Sequence, residues 1–317
     1  MGEAVIDIIR YTADRADEWN RFVAQSKNGT FLFDRGYMDY HADRFEDYSL
    51  MFFRDGRLFA LLPANRDGDT LYSHRGLTYG GLVMDAKTTT AVVRDLFREL
   101  CDYLRAEGLH RVVYKPVPWP YAALPSAEDQ YALVNVCRAK IIQRDVASVV
   151  VLADRLPLST LRKRGVAKAR RAGVTIAESG DFEAYWSLLE DRLSDRHGAR
   201  PIHSLGEMTL LRERFPEHIR LFLAFLDGRM VGGTVLYITA TTAKTQYIAA
   251  DDAGLACGAL DLLFSELLDR FGAKGWRFFD FGTSNMPGCD DLHDSLIFQK
   301  EGFGARAVCY DTYEYDL

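Results

Sequence analysis

Apolar side chains recur at spacings of three and four residues in two separate stretches. Val92, Val93, Leu96, Phe97, Leu100 and Leu104 fall on one helical face, and Ala259, Leu260, Leu263, Leu267 and Phe271 fall on another. Each pattern predicts an amphipathic helix. Each is followed by a glycine, Gly108 or Gly275, where a left-handed residue ends a helix. The segments that come next, "HRVVYKPV" and "WRFFDFG", are rich in branched and aromatic residues and predict strands. Further apolar runs flank Asp55-Gly56 and Asp227-Gly228, and Asp-Gly between such runs predicts a tight β-hairpin.

These elements repeat. "DGRLFALLPA" at 55–64 resembles "DGRMVGGTVLY" at 227–237, and "LFRELCDYLRAEG" at 96–108 matches "LFSELLDRFGAKG" at 263–275 at seven of thirteen positions. The offsets, 172 and 167, are close to half of the 317 residues. Strand, turn, strand, further strands, glycine-ended helix and strand therefore occur twice in the same order. The expectation is two copies of one α/β (α+β, mixed-sheet) unit, at 1–153 and 154–317. The junction lies where "ASVVVLADRLPLSTL" passes from a β-branched run through Pro157 into a polar helix start. The terminal segment "RAVCYDTYEYDL" predicts a strand that pairs within its own half or returns to the first.

Between the halves, "LRKRGVAKARRAG" at 161–173 reads as a helix of about three turns, with Ser159 or Thr160 as N-cap and Gly173 beyond its end. Leu161, Gly165, Ala169 and Ala172 fall on one narrow face, small enough for close approach to another element. Arg162, Lys163, Arg164, Lys168, Arg170 and Arg171 supply six cations with no carboxylate among them. Like charges on one short helix repel, so this is either a solvated face or a site for an external anion, phosphate or RNA backbone.

Composition narrows the choice. The formal net charge is −6 although these six cations contribute +6, so the remainder carries −12, which excludes a surface built throughout to coat nucleic acid. The five cysteines are scattered without metal-ligand spacing, which predicts neither a zinc site nor a disulfide framework and fits a reducing cytoplasm. The longest apolar run, "ASVVVLA", is far too short to span a bilayer, so the expectation is a soluble intracellular protein.

With the repeat and the basic segment in view, the chain resembles tandem GNAT-fold acyltransferases, and in particular the Fem-type peptidyltransferases of bacterial cell-envelope (peptidoglycan) biosynthesis. In that family a basic helix of the form found in "LRKRGVAKARRAGV" opens the second domain. "FFDFGTSN" at 278–285 followed by "LIFQKEGFGA" at 296–305 is similar to the family's C-terminal pattern, with Lys300 in its lysine position and Gln299 where an aromatic is usual. The long helical arm that some members carry is missing.

The resemblance implies two GNAT-like domains and attack of an amine on an activated acyl carbonyl, with no covalent nucleophile. The donor would be acyl-CoA or aminoacyl-tRNA and the acceptor a cell-envelope precursor, a peptide or an amino sugar. It implies no permanent cofactor and no metal, and a partner that is a small molecule, a peptide or tRNA. Lys300 would face developing negative charge or a phosphate, or else be a surface lysine before a tight turn. GNAT enzymes rest a pyrophosphate on a helix N-terminus; here that stretch is Asp251-Asp252-Ala253-Gly254-Leu255-Ala256, in which Gly254 fits and Asp251 does not. "DRHGARPIHS" gathers Arg196, His197, Arg200 and His203 for acceptor binding or proton removal, or is a loop of capping residues. His74, Arg75 and Tyr79 in "LYSHRGLTYGG" would rim a cleft between the halves. Asp280 and Tyr247 would orient the amine or protonate a leaving group, or complete hydrogen-bond networks. Two readings from other classes stay open: a non-catalytic module for phosphorylated or nucleotide-linked ligands, and an RNA-binding protein.

Overall fold

The computed structural model describes residues 6–197, 200–286 and 291–317, the side chains of 195–197 excepted. The chain divides into two compact units, Met1–Asp145 with Cys309–Leu317, and Val146–Val308.

The first unit contains β1 (Ile6–Arg10), α1 (Ala16–Gln25), α2 (Arg35–Met38), β2 (Glu46–Asp47), β3 (Leu50–Arg54), β4 (Arg57–Leu62), β5 (Asn65–Asp67), β6 (Thr70–Tyr72), β7 (Val83–Met84), α3 (Thr90–Ala106), β8 (Arg111–Tyr114) and α4 (Glu128–Asn135). β9 (Lys140–Val151) leads into the second unit. There follow α5 (Thr160–Arg171), β10 (Thr175–Ser179), α6 (Phe182–His197), α7 (Leu205–Arg214), β11 (Ile219–Leu226), β12 (Arg229–Ile238), β13 (Thr242–Ala250), α8 (Asp252–Cys257), α9 (Ala259–Ala273), β14 (Phe278–Thr283) and α10 (Asp294–Glu301). β15 (Arg306–Asp316) returns to the first unit.

Within the first unit, β1-β3-β4-β7 form an antiparallel sheet, and β15, β8, β6, β5 and β2 lie side by side in that order. The Asp55-Gly56 turn has φ of 52° and 72°, the pair of positive values that a two-residue hairpin needs to match strand twist. α3 buries Val93, Leu96, Phe97, Leu100 and Leu104, the face its periodicity predicts. β8 pairs parallel with β6 and antiparallel with β15, where Tyr313 faces Tyr114. Tyr313 and Tyr315 thereby enter the core built on α3.

In the second unit the strand order is β10-β11-β12-β13-β14-β9. The Asp227-Gly228 turn again has two positive φ values, 51° and 76°. Ladders are antiparallel except between β13 and β14, which are parallel because the chain crosses over through α8 and α9 to reach β14. That ladder holds only three pairs, Thr242–Phe278, Ala243–Phe279 and Lys244–Asp280. β13 continues to Ala250 paired with β12 alone, so its second half is released from β14. Phe264 and Phe271 of α9 pack with Phe279, Phe281 and Phe303 beneath the sheet.

The basic helix sits as its cap predicts: the Ser159 side chain accepts from the Arg162 N–H. Its buried face differs from the sequence expectation. Val166 and Ala169 are buried, whereas Leu161 and Ala172 are exposed. The contact with α9 decides this. A Cβ on Gly165 would stand 1.7 Å from Asp261 Oδ2, and Gly258, at φ 83°, lies against the Gly165 carbonyl. Bare backbone is the only surface that fits there, and it rotates Arg162 inward toward Asp261.

Candidate active site

A cavity of about 260 Å³ lies in the second unit beside the released half of β13. Ile248, Ala249 and Ala250 of β13 line it with Phe281 of β14, Leu189 and Leu193 of α6 and Phe264 of α9. Its polar lining comes from Arg192, Gln299 and Lys300. The cavity exists because a parallel ladder that stops after three pairs leaves two strands with helices, rather than a neighbour, between them.

Lys300, at the end of α10, is buried at 5% exposure and its ammonium makes three hydrogen bonds. They go to the Gly282 carbonyl at 2.9 Å, the Thr283 carbonyl at 2.7 Å and Ser284 Oγ at 2.8 Å. An ammonium has three donors, so all are used in holding the end of β14, where Gly282 turns to φ 73°. Burial lowers the Lys300 pKa to about 8, against the support of Asp280 and with the opposition of Lys244. Lys244 is also buried, its Nζ bonded to the Thr245 carbonyl and to Gln246 Oε1, and burial lowers its pKa too. Asp280 is fully buried and accepts the Gly282 N–H at 2.6 Å. Two lysines around one carboxylate make a cluster with an excess positive charge when all three are ionised. The sequence did not single out Lys244; its only sign was a lysine inside the strand "TTAKTQYIAA".

Tyr247 and His203 are also brought together. His203 Nδ1 lies 2.6 Å from the Tyr247 hydroxyl, its backbone N–H donates to the same oxygen at 3.2 Å, and Trp186 packs edge-on at 5.1 Å. Burial pushes the Tyr247 pKa up to about 12. Ser204, next to His203, caps α7 in a reciprocal box with Glu207. The side chains of Arg196 and His197 lie outside the described residues.

His74, Arg75 and Tyr79 belong to the first unit and are engaged there. His74 is buried at φ 69°, its ring 5.5 Å from that of His41, and burial lowers its pKa to about 3. Arg75 pairs with Asp67 at 2.7 Å and lies over the Tyr72 ring. The Tyr79 hydroxyl donates to Thr30 Oγ1 at 3.3 Å inside the core.

The anion-binding candidates divide. Arg162 is ion-paired with Asp261 at 2.5 Å and half-covered against Phe303, which takes it out of the free basic set. Lys163, Arg164, Lys168, Arg170 and Arg171 are exposed. At the start of α8, the Gly254 N–H donates to Asp251 Oδ1 at 2.7 Å, and Arg229 neutralises the other Asp251 oxygen at 2.7 Å. The amide that would face a pyrophosphate is thus closed by the chain's own carboxylate.

Residues 160–287 match the family model of the acetyltransferase (GNAT) domain. The second unit carries a GNAT acetyltransferase domain. The match lies wholly within that unit and includes the basic helix, the released strand and α8. Solved structures extend the fold likeness over the whole chain. FemX superposes with a TM-score of 0.71 at 12% identity, covering 98% of this chain and 97% of that one. L-PGS from Bacillus licheniformis does so at 0.61 and 12%, covering 96% and 91%. A tandem GNAT protein from the clavulanic acid biosynthesis pathway does so at 0.54 and 12%, covering 98% of each. None of the curated proteins matches. The mixed α/β fold is that of tandem GNAT proteins, and the domain match supports acyltransferase activity. Among the described residues no cluster of metal-ligating side chains occurs, and no helix is long and apolar enough to cross a membrane.

Proposed function

We propose that the protein transfers an acyl group from an activated ester to an amine, with the donor's acyl group in the cavity of the second unit. The observation that carries this reading is the cavity itself, opened by the three-pair β13–β14 ladder and walled by buried Lys300. The released edge of β13 offers main-chain groups to an extended donor arm, and the apolar walls exclude water from the ester. Lys300 acts as a positioning residue that fixes Gly282 to Ser284. Asp280, between the two lysines, keeps that ammonium charged near neutral pH. Tyr247, protonated throughout the physiological range, gives a proton to the leaving group while His203 holds its hydroxyl in place. Attack by the amine forms the new C–N bond as the C–S or C–O bond of the donor breaks, the leaving thiol or alcohol departs with the proton from Tyr247, and the amine's surplus proton returns through solvent to the Tyr247 oxygen.

The GNAT match supports acyl-CoA as donor. One observation favours a second donor, aminoacyl-tRNA: the α8 amide is occupied by Asp251, while five exposed cations on α5 stand ready for phosphates. The Fem-like motifs support an acceptor amine on a cell-envelope precursor, a peptide or an amino sugar.

The test is to incubate purified protein with acyl-CoA and, separately, with charged tRNA over a panel of such amines, following donor consumption. Amine-dependent loss of one donor supports the proposal. Stability of both over the whole panel, with the protein folded, overturns it in favour of a non-catalytic module.

A further inference from the structure

The first unit brings together two thiols that stand 36 positions apart in the sequence. Cys101 lies on the buried face of α3, and Cys137 in the turn that closes α4, where its backbone N–H donates to the Ala132 carbonyl at 3.2 Å. Their sulfurs are 3.7 Å apart and share a hydrogen bond. A thiol packed in a core ordinarily acts as a small apolar group and stays inert, because solutes do not reach it and burial keeps it protonated. This pair is reachable. Both cysteines line an open depression of about 510 Å³, together with Arg98, Asp102, Arg105 and Asp316. Cys101 is 8% exposed and Cys137 more so.

The surroundings favour one thiolate. The Cys137 S–H donates toward Cys101, and with Arg105 one turn further along α3 this outweighs burial and the Asp102 carboxylate, holding the Cys101 thiol below its ordinary value. Cys137, as the donor of that bond, is pushed up. Tyr315 of β15 adds a second donor. Its hydroxyl is buried with no hydrogen bond among the described residues, and it acts on both sulfurs, so an anionic sulfur supplies the acceptor it lacks.

We propose that Cys101 and Cys137 form a redox-active dithiol, which a small peroxide converts to a disulfide tying α3 to the end of α4. The Cys101 thiolate attacks one peroxide oxygen: an S–O bond forms, the O–O bond breaks, and the departing hydroxide takes a proton from solvent to leave as water. The Cys137 sulfur then attacks the resulting sulfenic acid. The S–S bond forms, the S–O bond breaks, and the hydroxyl leaves as water with the Cys137 proton. Two thiols and one hydrogen peroxide give one disulfide and two waters, the sulfurs losing the two electrons that the peroxide gains. The bond closes the loop of chain from 101 to 137, which restricts the unfolded first unit and so stabilises the folded one. Scattered spacing concealed the pair in the sequence, since only the packing of α4 on α3 brings the sulfurs into contact.

In the experiment the purified, fully reduced protein is treated with hydrogen peroxide; at intervals the remaining thiols are alkylated under denaturing conditions and the cysteine peptides mapped by mass spectrometry. Cys309, which is exposed, serves as the comparison thiol. The proposal expects a peptide pair joined through Cys101 and Cys137, lighter by two hydrogens, that appears about tenfold faster than oxidation of Cys309. It expects the oxidised protein to melt about 5 °C or more higher, a gain lost on adding a thiol reductant. In Cys137→Ser, with no second sulfur to complete the bond, a 1,3-dione traps Cys101 as its sulfenic acid, whereas Cys101→Ser leaves Cys137 unlabelled. Cys101 and Cys137 still open to alkylation once Cys309 is oxidised, either of them joined to another cysteine instead, an oxidised protein with unchanged melting temperature, or dione on Cys137 in Cys101→Ser would each overturn it. The wild-type mapping stands even where a variant fails to fold. Every readout is independent of acyl transfer, so a failure of the transferase reading leaves this one intact.

Discussion

Lys300 shows how far a motif residue can be from the role its position implies. The sequence marks it as a cation for a ligand, yet its donors hold the main chain at Gly282, Thr283 and Ser284. Its pKa of about 8 lies below the ordinary value of a lysine, so the unfolded chain binds more protons than the folded one from about pH 8 to above 10. The sign follows: the penalty for burying the charge is present below pH 8 and is relieved as pH rises. Urea unfolding of wild type and Lys300→Met should show the wild type gaining stability relative to the variant across pH 8 to 10, by at most roughly 1.4 kcal/mol per pH unit. A pH-independent difference would place the lysine in solvent-like surroundings. Gly254 gives a second test at this scale. A methyl group there would stand 2.1 Å from the Val231 carbonyl oxygen, so Gly254→Ala should cost about 1–3 kcal/mol in the same assay.

At the scale of elements, two opposing effects meet in α5. Gly165→Ala would raise helix propensity by about 1 kcal/mol in an exposed helix. Here the added methyl meets Asp261 Oδ2 at 1.7 Å and its Cγ at 2.5 Å, which dislodges the partner of Arg162. Overpacking and a broken half-buried ion pair outweigh propensity, so the variant should be less stable by about 1–3 kcal/mol, read as a fall in melting temperature. The outer face behaves oppositely. Reversing Lys163, Arg164, Lys168, Arg170 and Arg171 to Glu should leave the melting temperature within a few degrees, while donor binding weakens and loses its salt dependence.

The helices, both Asp-Gly turns, the Ser159 cap and the glycines at helix ends were legible because each depends on residues within one or two turns of the chain. The three-pair limit of the β13–β14 ladder was not, since register is set by packing between distant segments. Lys244 was hidden for a related reason: its burial comes from partners far away in sequence, and it lies in no motif. On α5, Leu161 and Ala172 look apolar in the sequence, yet the close contact of Gly165 with α9 fixes the rotation and leaves both exposed.

For the whole molecule, the order of the chain joins the two units twice, through β9 and through β15. Tyr313 and Tyr315 of β15 lie in the core of the first unit, whose other strands all precede residue 152. Deleting residues 309–317 should therefore unfold the first unit, removing two buried aromatic side chains and the β8 ladder, with loss of near-ultraviolet circular dichroism and aggregation on expression. A truncated chain with the full spectrum and melting temperature would show that β15 contributes nothing to that core.

The transferase reading stands on the proposal that the cavity beside the released half of β13 receives the donor's acyl group. A crystal structure of the protein saturated with the hexyl thioether of coenzyme A, which has no carbonyl to be attacked, tests this placement. The hexyl chain is expected between Leu189, Phe264 and Phe303. An analogue bound with its alkyl chain elsewhere, or a cavity left empty at saturation, would overturn that proposal.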